Sequence, residues 1–553
     1  MKKRNQIIPA LLTAAMTASV MSGCAGAPKT TGLAAETTAA ALGTAAQENY
    51  AQETYAPEAG YPYEGAAPRA IADRYQQAYG GDTVNSEEYK EIIESGFQST
   101  AKNPLSTFSI DVDTASYANI RRMINRGQEI PEDAVRIEEM INYFNYDYKE
   151  PEGNDPFSVT TELSDCPWNP EHQLMLVGIQ AKEIDFDNRP MSNLVFLLDV
   201  SGSMYDEDKL PLVQKSFSLL ADELTENDRV SIVTYAGYEQ VVLEGARGDQ
   251  KVKIREALEG LTAGGSTAGE AGIQKAYELA GNYFIPGGNN RVILATDGDL
   301  NVGVSSEEGL TKLIEEKRKS GVHLSVLGFG TGNIKDNKME ALADNGDGNY
   351  NYIDSLSEAK KVLVEEMGGT LITVAKDVKL QVEFNPLLVD GYRLLGYENR
   401  RLADEDFDND AVDAGEIGSG HQVTALYEIV RAGEGSGKEL KYQNTESKAP
   451  DTGNSSEFKD ELLTINIRYK APNGNESKLL SVPAKTSIYQ KELPTNLRFA
   501  GAVAEFGMIL RDSEYKGTAS SEQILSLVDG MPQSGLDEYK DEFRKLVLMA
   551  ADR

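Results

Sequence analysis

Between residues 193 and 367, short apolar segments alternate with amphipathic segments of helical period, and this alternation constrains the fold more than any other feature. The apolar segments are 194–198, 230–233, 292–295 and 324–327. The amphipathic segments are 210–224, 252–261, 271–283 and 309–320. Continuous apolar strands alternating with helices are typical of a parallel sheet covered on both faces. The sequence therefore predicts a doubly wound, mostly parallel α/β unit.

The first apolar segment leads directly into three oxygen-bearing side chains at alternate positions: Asp199, Ser201 and Ser203. Sheets of this type bind ligands at the carboxyl ends of their strands, so these side chains can turn over one edge toward one point. One carboxylate and two hydroxyls are hard oxygen ligands with a single negative charge. Such a set suits Mg²⁺ or Mn²⁺ that keeps some of its waters and an open position.

Two other places in the α/β unit can complete this cluster. The glycine-rich segment 264–269 supplies Thr267, expected as the ligand in preference to the adjacent Ser266, and an apolar strand is followed by Asp297. Together with the first three residues, they make five candidate oxygen ligands.

In this order and on these elements, the five residues resemble the metal-ion-dependent adhesion site (MIDAS) of the von Willebrand factor A (VWA) domain family. The resemblance implies that Ser201 and Ser203 coordinate the metal directly, that Asp199 and Thr267 reach it partly through water, and that Asp297 supports the site. The implied cofactor is a divalent cation, Mg²⁺ first, with Mn²⁺ or Ca²⁺ as alternatives. An acidic side chain of a protein partner takes the open metal position in this family.

The segments that flank the α/β unit show the period-two alternation of half-buried strands. The clearest are 157–163, 174–179, 378–384, 422–429 and 462–469, and helical patterns close the chain over 497–511 and 521–549. We expect these strands to form one module, a β-sandwich, into which the α/β unit is inserted. Segments 103–119, 136–144 and 389–397 are similar to the flanking modules of a bacterial subgroup of secreted or lipid-anchored VWA proteins.

The N-terminus has a basic start followed by an apolar stretch and by Met21-Ser-Gly-Cys24. This arrangement resembles a bacterial lipoprotein signal, which implies that Cys24 becomes the lipidated first residue. The following segment is rich in Ala, Thr, Gly and Pro without any strand or helix period, a composition that cannot bury enough apolar surface to order itself. We therefore expect an extracytoplasmic, membrane-anchored lipoprotein of the cell envelope.

These patterns predict five consecutive parts of the chain. They are a signal peptide (1–23), a disordered lipid-anchored stalk (24–95), an N-terminal flanking module (96–190), the VWA domain (191–370) and a C-terminal flanking module (371–553).

The chain is acidic, with 54 Lys and Arg against 88 Asp and Glu and a formal net charge of −34. Such a charge repels the phosphate backbone of nucleic acid, so no nucleic-acid partner is expected.

Motifs that would indicate an enzyme are incomplete. Asp111 and Asp113 follow the order of the aspartyl-phosphate phosphatase motif, but Ala115 stands where that motif has Thr. The acidic run 404–410 lacks the Gly and Glu of a helix-loop-helix calcium site. Neither a Gly-x-Ser-x-Gly elbow nor a phosphate-binding loop occurs. The chain is accordingly not predicted to be an enzyme.

The sequence favours a binding protein that uses its metal to capture an Asp or Glu of a protein partner. A rival hypothesis is an envelope assembly or scaffold protein whose metal is structural. A weaker alternative places a hydrolase activity in the flanking modules.

Overall fold

The computed structural model describes residues 86–184, 189–266, 269–298, 307–433, 458–472 and 474–551. The predicted signal peptide, Cys24 and most of the predicted stalk lie outside these residues. Within the described ranges, no helix is both long and apolar enough to cross a bilayer.

The described residues contain sixteen strands. They are β1 (Gln98–Ser99), β2 (Leu105–Ser109), β3 (Phe157–Cys166), β4 (Asn169–Ala181), β5 (Ser192–Asp199), β6 (Arg229–Tyr235), β7 (Glu239–Arg247), β8 (Asn289–Thr296), β9 (His323–Phe329), β10 (Tyr350–Ile353), β11 (Thr373–Phe384), β12 (Val389–Leu395), β13 (Ile417–Gly418), β14 (Gln422–Arg431), β15 (Glu461–Lys470) and β16 (Ser477–Lys485).

The same residues contain twelve α-helices, and a π-helical turn (Lys361–Glu365) continues the eighth. They are α1 (Ala115–Arg126), α2 (Ile137–Asn142), α3 (Leu210–Glu223), α4 (Lys251–Glu259), α5 (Gly269–Asn282), α6 (Glu307–Arg318), α7 (Asp336–Asn345), α8 (Leu356–Lys360), α9 (Met367–Leu371), α10 (Thr495–Leu510), α11 (Ser521–Asp529) and α12 (Glu538–Ala551).

The predicted α/β unit is confirmed as a six-stranded sheet in the order β10-β9-β8-β5-β6-β7. All neighbouring pairs are parallel except β6 and β7, which are antiparallel. Strand β5 is buried along its whole length and lies near the centre of the sheet. Leu194, Phe196 and Leu198 face the core that contains α3 and α4, whereas Val195 and Leu197 face the core that contains α5 and α7. Both faces of the sheet are therefore covered.

The flanking strands form two five-stranded sheets that pack face to face, so the expected β-sandwich is confirmed. One sheet has the order β1-β12-β14-β4-β3, and the other has β13-β11-β15-β16 with β2 paired to β11. Residues of both sheets, among them Val177 of β4 and Ile465 of β15, share one apolar core. Strand β4 pairs with β14, and β2 pairs with β11, so strands that precede the α/β unit pair with strands that follow it. The α/β unit is an insertion in this sandwich.

A fourth core joins α1 and α2 to the three C-terminal helices α10, α11 and α12. The helical pattern over 497–511 is confirmed as α10, and the helical pattern over 521–549 is confirmed as two helices, α11 and α12. The two helices are separated by residues 530–537, which contain a short 3₁₀ turn at Gln533–Gly535. Pro532 lies in this gap, and proline cannot continue a helix because it lacks the backbone N–H and its ring clashes with the preceding turn.

Candidate metal site

Asp199 is the last residue of β5, and its carboxylate is completely buried at the carboxyl edge of the parallel sheet. Its Oδ1 accepts a hydrogen bond from the backbone N–H of Ser201 at 2.9 Å. Its Oδ2 accepts one from the hydroxyl of Thr296, at the end of the neighbouring strand β8, at 3.2 Å. The strand end and these two bonds fix the direction of the carboxylate.

Ser201 and Ser203 lie in the turn that follows β5, and their Oγ atoms are 3.0 Å apart. Ser201 is buried, whereas Ser203 is exposed, so this pair of hydroxyls extends from the protein interior to solvent. The alternate spacing of these residues therefore brings one carboxylate and two hydroxyls together, as the sequence predicts.

The glycine-rich segment lies against the same turn. Gly202 N–H donates to the carbonyl of Gly265 at 3.0 Å, and Gly264 N–H donates to the carbonyl of Val200 at 2.8 Å. Thr267 itself lies outside the described residues, and its assignment as a ligand stays a prediction.

Asp297 follows β8 and is also buried. Its Oδ2 accepts a hydrogen bond from the ammonium group of Lys209 at 2.9 Å, and this ammonium also donates to Oδ1 of Asn333 at 3.0 Å. Lys209 and Asn333 were not predicted from the sequence. A signal for Lys209 was present, because a lysine at the N-terminal boundary of a helix opposes the helix dipole unless an anion holds it.

The two carboxylates differ electrostatically. Burial, and then the charge of Asp297, raise the pKa of Asp199 to about 6. Burial alone would also raise the pKa of Asp297, but the Lys209 ammonium and hydrogen bonds from Asn333 and Ser203 hold it below its usual value. Asp297 therefore stays ionised, and Asp199 is a carboxylate that a nearby cation would stabilise.

This set of donors fits a hard divalent cation. Among the described residues there is no group of three or more His, Cys, Asp or Glu side chains placed to hold a metal, so a cation here depends on hydroxyl as well as carboxylate oxygens. Asp199, Ser201 and Ser203 present both types side by side. Hydroxyl, carboxylate and water oxygens are the ligands that Mg²⁺ accepts in an open octahedral site.

The other acidic motifs have structural partners. Arg400 donates to Asp111 at 3.0 Å and to Asp113 at 3.1 Å, and Asp113 also accepts from the backbone N–H of Tyr350 in β10 at 2.8 Å. Asp410 accepts from Arg468 of β15 at 2.9 Å. Asp111, Asp113 and Asp410 are therefore each held by an arginine.

Family models match three consecutive parts of the chain. The model of the von Willebrand factor type A domain matches residues 193–366, a model described as von Willebrand factor matches 83–176, and a model described as uncharacterized protein YfbK, C-terminal, matches 369–552. The fold and these matches define a protein with a VWA domain, a class related to adhesion and interaction modules. The uncharacterized protein YfbK of Escherichia coli K12 is 44% identical over 471 residues, which cover 84% of this chain and 80% of that protein. The chain belongs to the YfbK family.

Two further proteins match at lower identity. Human inter-alpha-trypsin inhibitor heavy chain H3 is 24% identical over 259 residues, 43% of this chain and 28% of that protein. Among solved structures, a von Willebrand factor type A protein from Catenulispora acidiphila matches at 14% identity with a TM-score of 0.41, over 73% of this chain and 98% of that chain.

Proposed function

We propose that this protein is a non-catalytic binding protein of the bacterial cell envelope, which captures an Asp or Glu of a protein partner through a divalent cation. Asp199, Ser201, Ser203, Thr267 and Asp297 would hold the cation, with Mg²⁺ first and Mn²⁺ or Ca²⁺ as alternatives. The observation that carries the proposal is the pair of hydroxyls 3.0 Å apart beside the buried carboxylate of Asp199 at the carboxyl edge of the sheet.

The residues of the site have separate tasks. Asp199 supplies the charge, and its bonds to Ser201 N–H and Thr296 keep it from turning away. Ser201 and Ser203 supply neutral oxygens, so the cation gains ligands without gaining negative charge. A bound cation contributes an electrophilic point that attracts one further carboxylate. The exposure of Ser203 leaves an approach for that carboxylate from solvent.

We further propose that Cys24 carries a lipid that anchors the chain to a membrane, and that the segment after it holds the VWA domain away from the bilayer. The resemblance of residues 1–24 to a lipoprotein signal supports this location. The acidity of the chain supports a protein partner over a nucleic acid.

The test is a calorimetric titration of Mg²⁺, Mn²⁺ and Ca²⁺ into the mature chain carrying Cys24→Ser, beside its Asp199→Ala variant. We expect saturable binding to the parent and none to Asp199→Ala, with circular dichroism spectra that coincide. Asp206→Asn is the matched control, because Asp206 is an exposed acid in the loop after Ser203 and its loss should leave binding intact. Equal binding by parent and Asp199→Ala, or no binding by either, would refute the site.

The parent and its Asp199→Ala variant also distinguish a binding protein from a scaffold protein. If the metal is structural, Asp199→Ala or chelation should greatly lower the thermal stability. If the metal captures a partner, Asp199→Ala should leave the fold nearly unchanged and abolish binding of the partner.

A further inference from the structure

Lys209 places a buried ammonium group beside the candidate metal site. Its side chain is only 6% exposed, and that of Asp297 is fully buried. The ammonium donates to Asp297 and Asn333 at 2.9 and 3.0 Å. A buried charge is held in one place by its partners, so this lysine is a fixed positive charge and differs from a mobile surface lysine.

The path of the Lys209 side chain depends on a glycine. Gly330 has φ +77°, and a Cβ there would lie 2.4 Å from Cγ and Cε of Lys209. Gly298, directly after Asp297, has φ +94°, and a Cβ there would lie 2.6 Å from the backbone nitrogen of Lys335. The loop after β9 therefore packs tightly against both Lys209 and the segment that carries Asp297.

That loop is also held from the opposite side by the first described residues of the chain. Ser86 N–H donates to the Gly332 carbonyl at 2.8 Å, and Glu88 N–H donates to the Ile334 carbonyl at 2.9 Å. The Glu87 carboxylate accepts from Gly332 N–H at 2.9 Å. Asn333, which holds the ammonium, is thus fixed within a loop that is hydrogen-bonded along its length.

We propose that Lys209 is a positioning residue that holds Asp297 and lowers the affinity of the site for its divalent cation. The inference rests on the proposed function. Asp199 and Asp297 bring two negative charges to the site, and the ammonium offsets one of them. A cation bound at Asp199 is then held less tightly, because like charges in a poorly hydrated site repel strongly. Because less uncompensated negative charge surrounds the bound cation, it attracts the carboxylate of a partner more strongly.

The experiment compares the parent with Lys209→Met in the mature chain carrying Cys24→Ser, by titration with Mn²⁺ and with Mg²⁺. We expect the variant to bind each cation at least about tenfold more tightly, a change of about 1.4 kcal/mol. Lys215→Met is the matched control, because it removes the same charge from an exposed position of helix α3, which begins directly after Lys209, and should leave the affinity unchanged.

A second measurement distinguishes this role from a structural one. In chelator, Lys209→Met should melt at a lower temperature than the parent, because Asp297 is left buried without its cation. Saturating Mg²⁺ should restore most of that loss. A lysine that only supports the fold would instead give a variant that binds cations more weakly and is not rescued.

Asn333→Asp keeps the test possible if Lys209→Met does not fold. This nearly isosteric change adds a negative charge beside the ammonium and should also tighten cation binding. Unchanged or weaker binding by the folded variants, with a parent that binds, would overturn the role of Lys209 and leave the proposed function standing. Failure of the parent to bind would overturn the proposed function itself, and binding by the folded variants but not by the parent would still show that Lys209 lowers the affinity of this site.

Discussion

The backbone N–H of Ile184 donates to Oγ of Ser419 at 2.7 Å. The N–H of the same Ser419 donates to the carbonyl of Ile372 at 2.8 Å. Ile184 lies where the chain leaves the sandwich for the α/β unit, and Ile372 lies where it returns. One buried serine between β13 and β14 therefore joins the entry and the exit of the inserted domain.

Ser419→Ala should destabilise the protein by about 1–3 kcal/mol, because the N–H of Ile184 loses its acceptor in a partly buried place. Chemical denaturation monitored by tryptophan fluorescence would measure this change. Ser481→Ala is the control: Ser481 is exposed on β16, its hydroxyl donates to Oδ1 of Asn466 in β15, and its loss should change stability by less than about 0.5 kcal/mol. Equal effects of the two substitutions would contradict a joining role for Ser419.

Arg121 of α1 is expected to be among the most sensitive charged residues. Its guanidinium donates to both oxygens of Asp354 at 2.6 and 2.9 Å and to Glu358 at 2.7 Å, and all three side chains are buried. Arg121→Met should cost about 3–5 kcal/mol, because two buried carboxylates lose their cation. Arg544→Met removes a similar two-bond pair with Asp529 at the surface and should cost less than about 1 kcal/mol. Thermal melts of the two variants would check the contrast.

Glu505 should make the protein less stable as the pH rises. It is buried in α10, neither carboxyl oxygen has a hydrogen-bond partner among the described residues, and burial raises its pKa to about 8. The folded state therefore holds a proton that the unfolded chain releases above its ordinary pKa of 4.5. This proton makes its whole contribution to stability below pH 4.5, and the contribution is lost as the pH rises toward 8.

Glu505→Gln removes this dependence, since the amide does not titrate. We expect the variant to gain stability over the parent between pH 5 and pH 8, on the order of 1.4 kcal/mol for each pKa unit that separates the two states. Melting temperatures of both proteins across this range would measure the gain. If the melting temperatures of the two proteins changed with pH in the same way, Glu505 would be ionised in the folded protein.

Glu87 should order the loop that carries Asn333. Its carboxylate accepts two bonds from Arg122 at 2.7 and 2.9 Å and one from Gly332 N–H. Burial alone would raise its pKa, but these bonds and the charge of Arg122 bring it below the usual value. Its contribution to stability is therefore present above pH 4.5 and is lost as the pH falls through the lowered pKa.

Glu87→Gln should cost about 1–3 kcal/mol, because a hydrogen-bonded charge pair is lost. Hydrogen exchange should become faster in residues 330–336 and stay unchanged in the distant strand β16. Unchanged exchange in that loop would show that Glu87 does not hold it.

The parts of the fold that follow from local pattern were predictable from the sequence. Strands β5, β6, β8 and β9 and helices α3 to α6 stand where apolar runs and helical periods indicate them. The turn after β5 was also predictable, because Asp199, Ser201 and Ser203 lie within five residues of one another and leave the same strand.

Other parts depend on distant contacts. Strand β7 has a mostly exposed face, and β10 has only four residues, so neither has a strong period. Lys209 and Asn333 are 124 positions apart, and no local pattern relates them. The sequence predicted that the α/β unit is inserted between flanking strands, but it did not predict that β4 pairs with β14. The register between strands separated by a whole domain is set by packing.

The insertion of the α/β unit also fixes the order in which the strands can pair during synthesis. Gln180 of β4 and Gln422 of β14, which bond each other in the finished sheet, are 242 positions apart. During synthesis, β4 therefore carries an unpaired edge until the chain beyond the α/β unit has emerged, and such edges are prone to pair with other chains. Strands β5 to β10 pair among themselves and can fold during this interval. A chaperone that shields this edge of β4 would thus have to stay bound until the whole α/β unit and β14 have been synthesised.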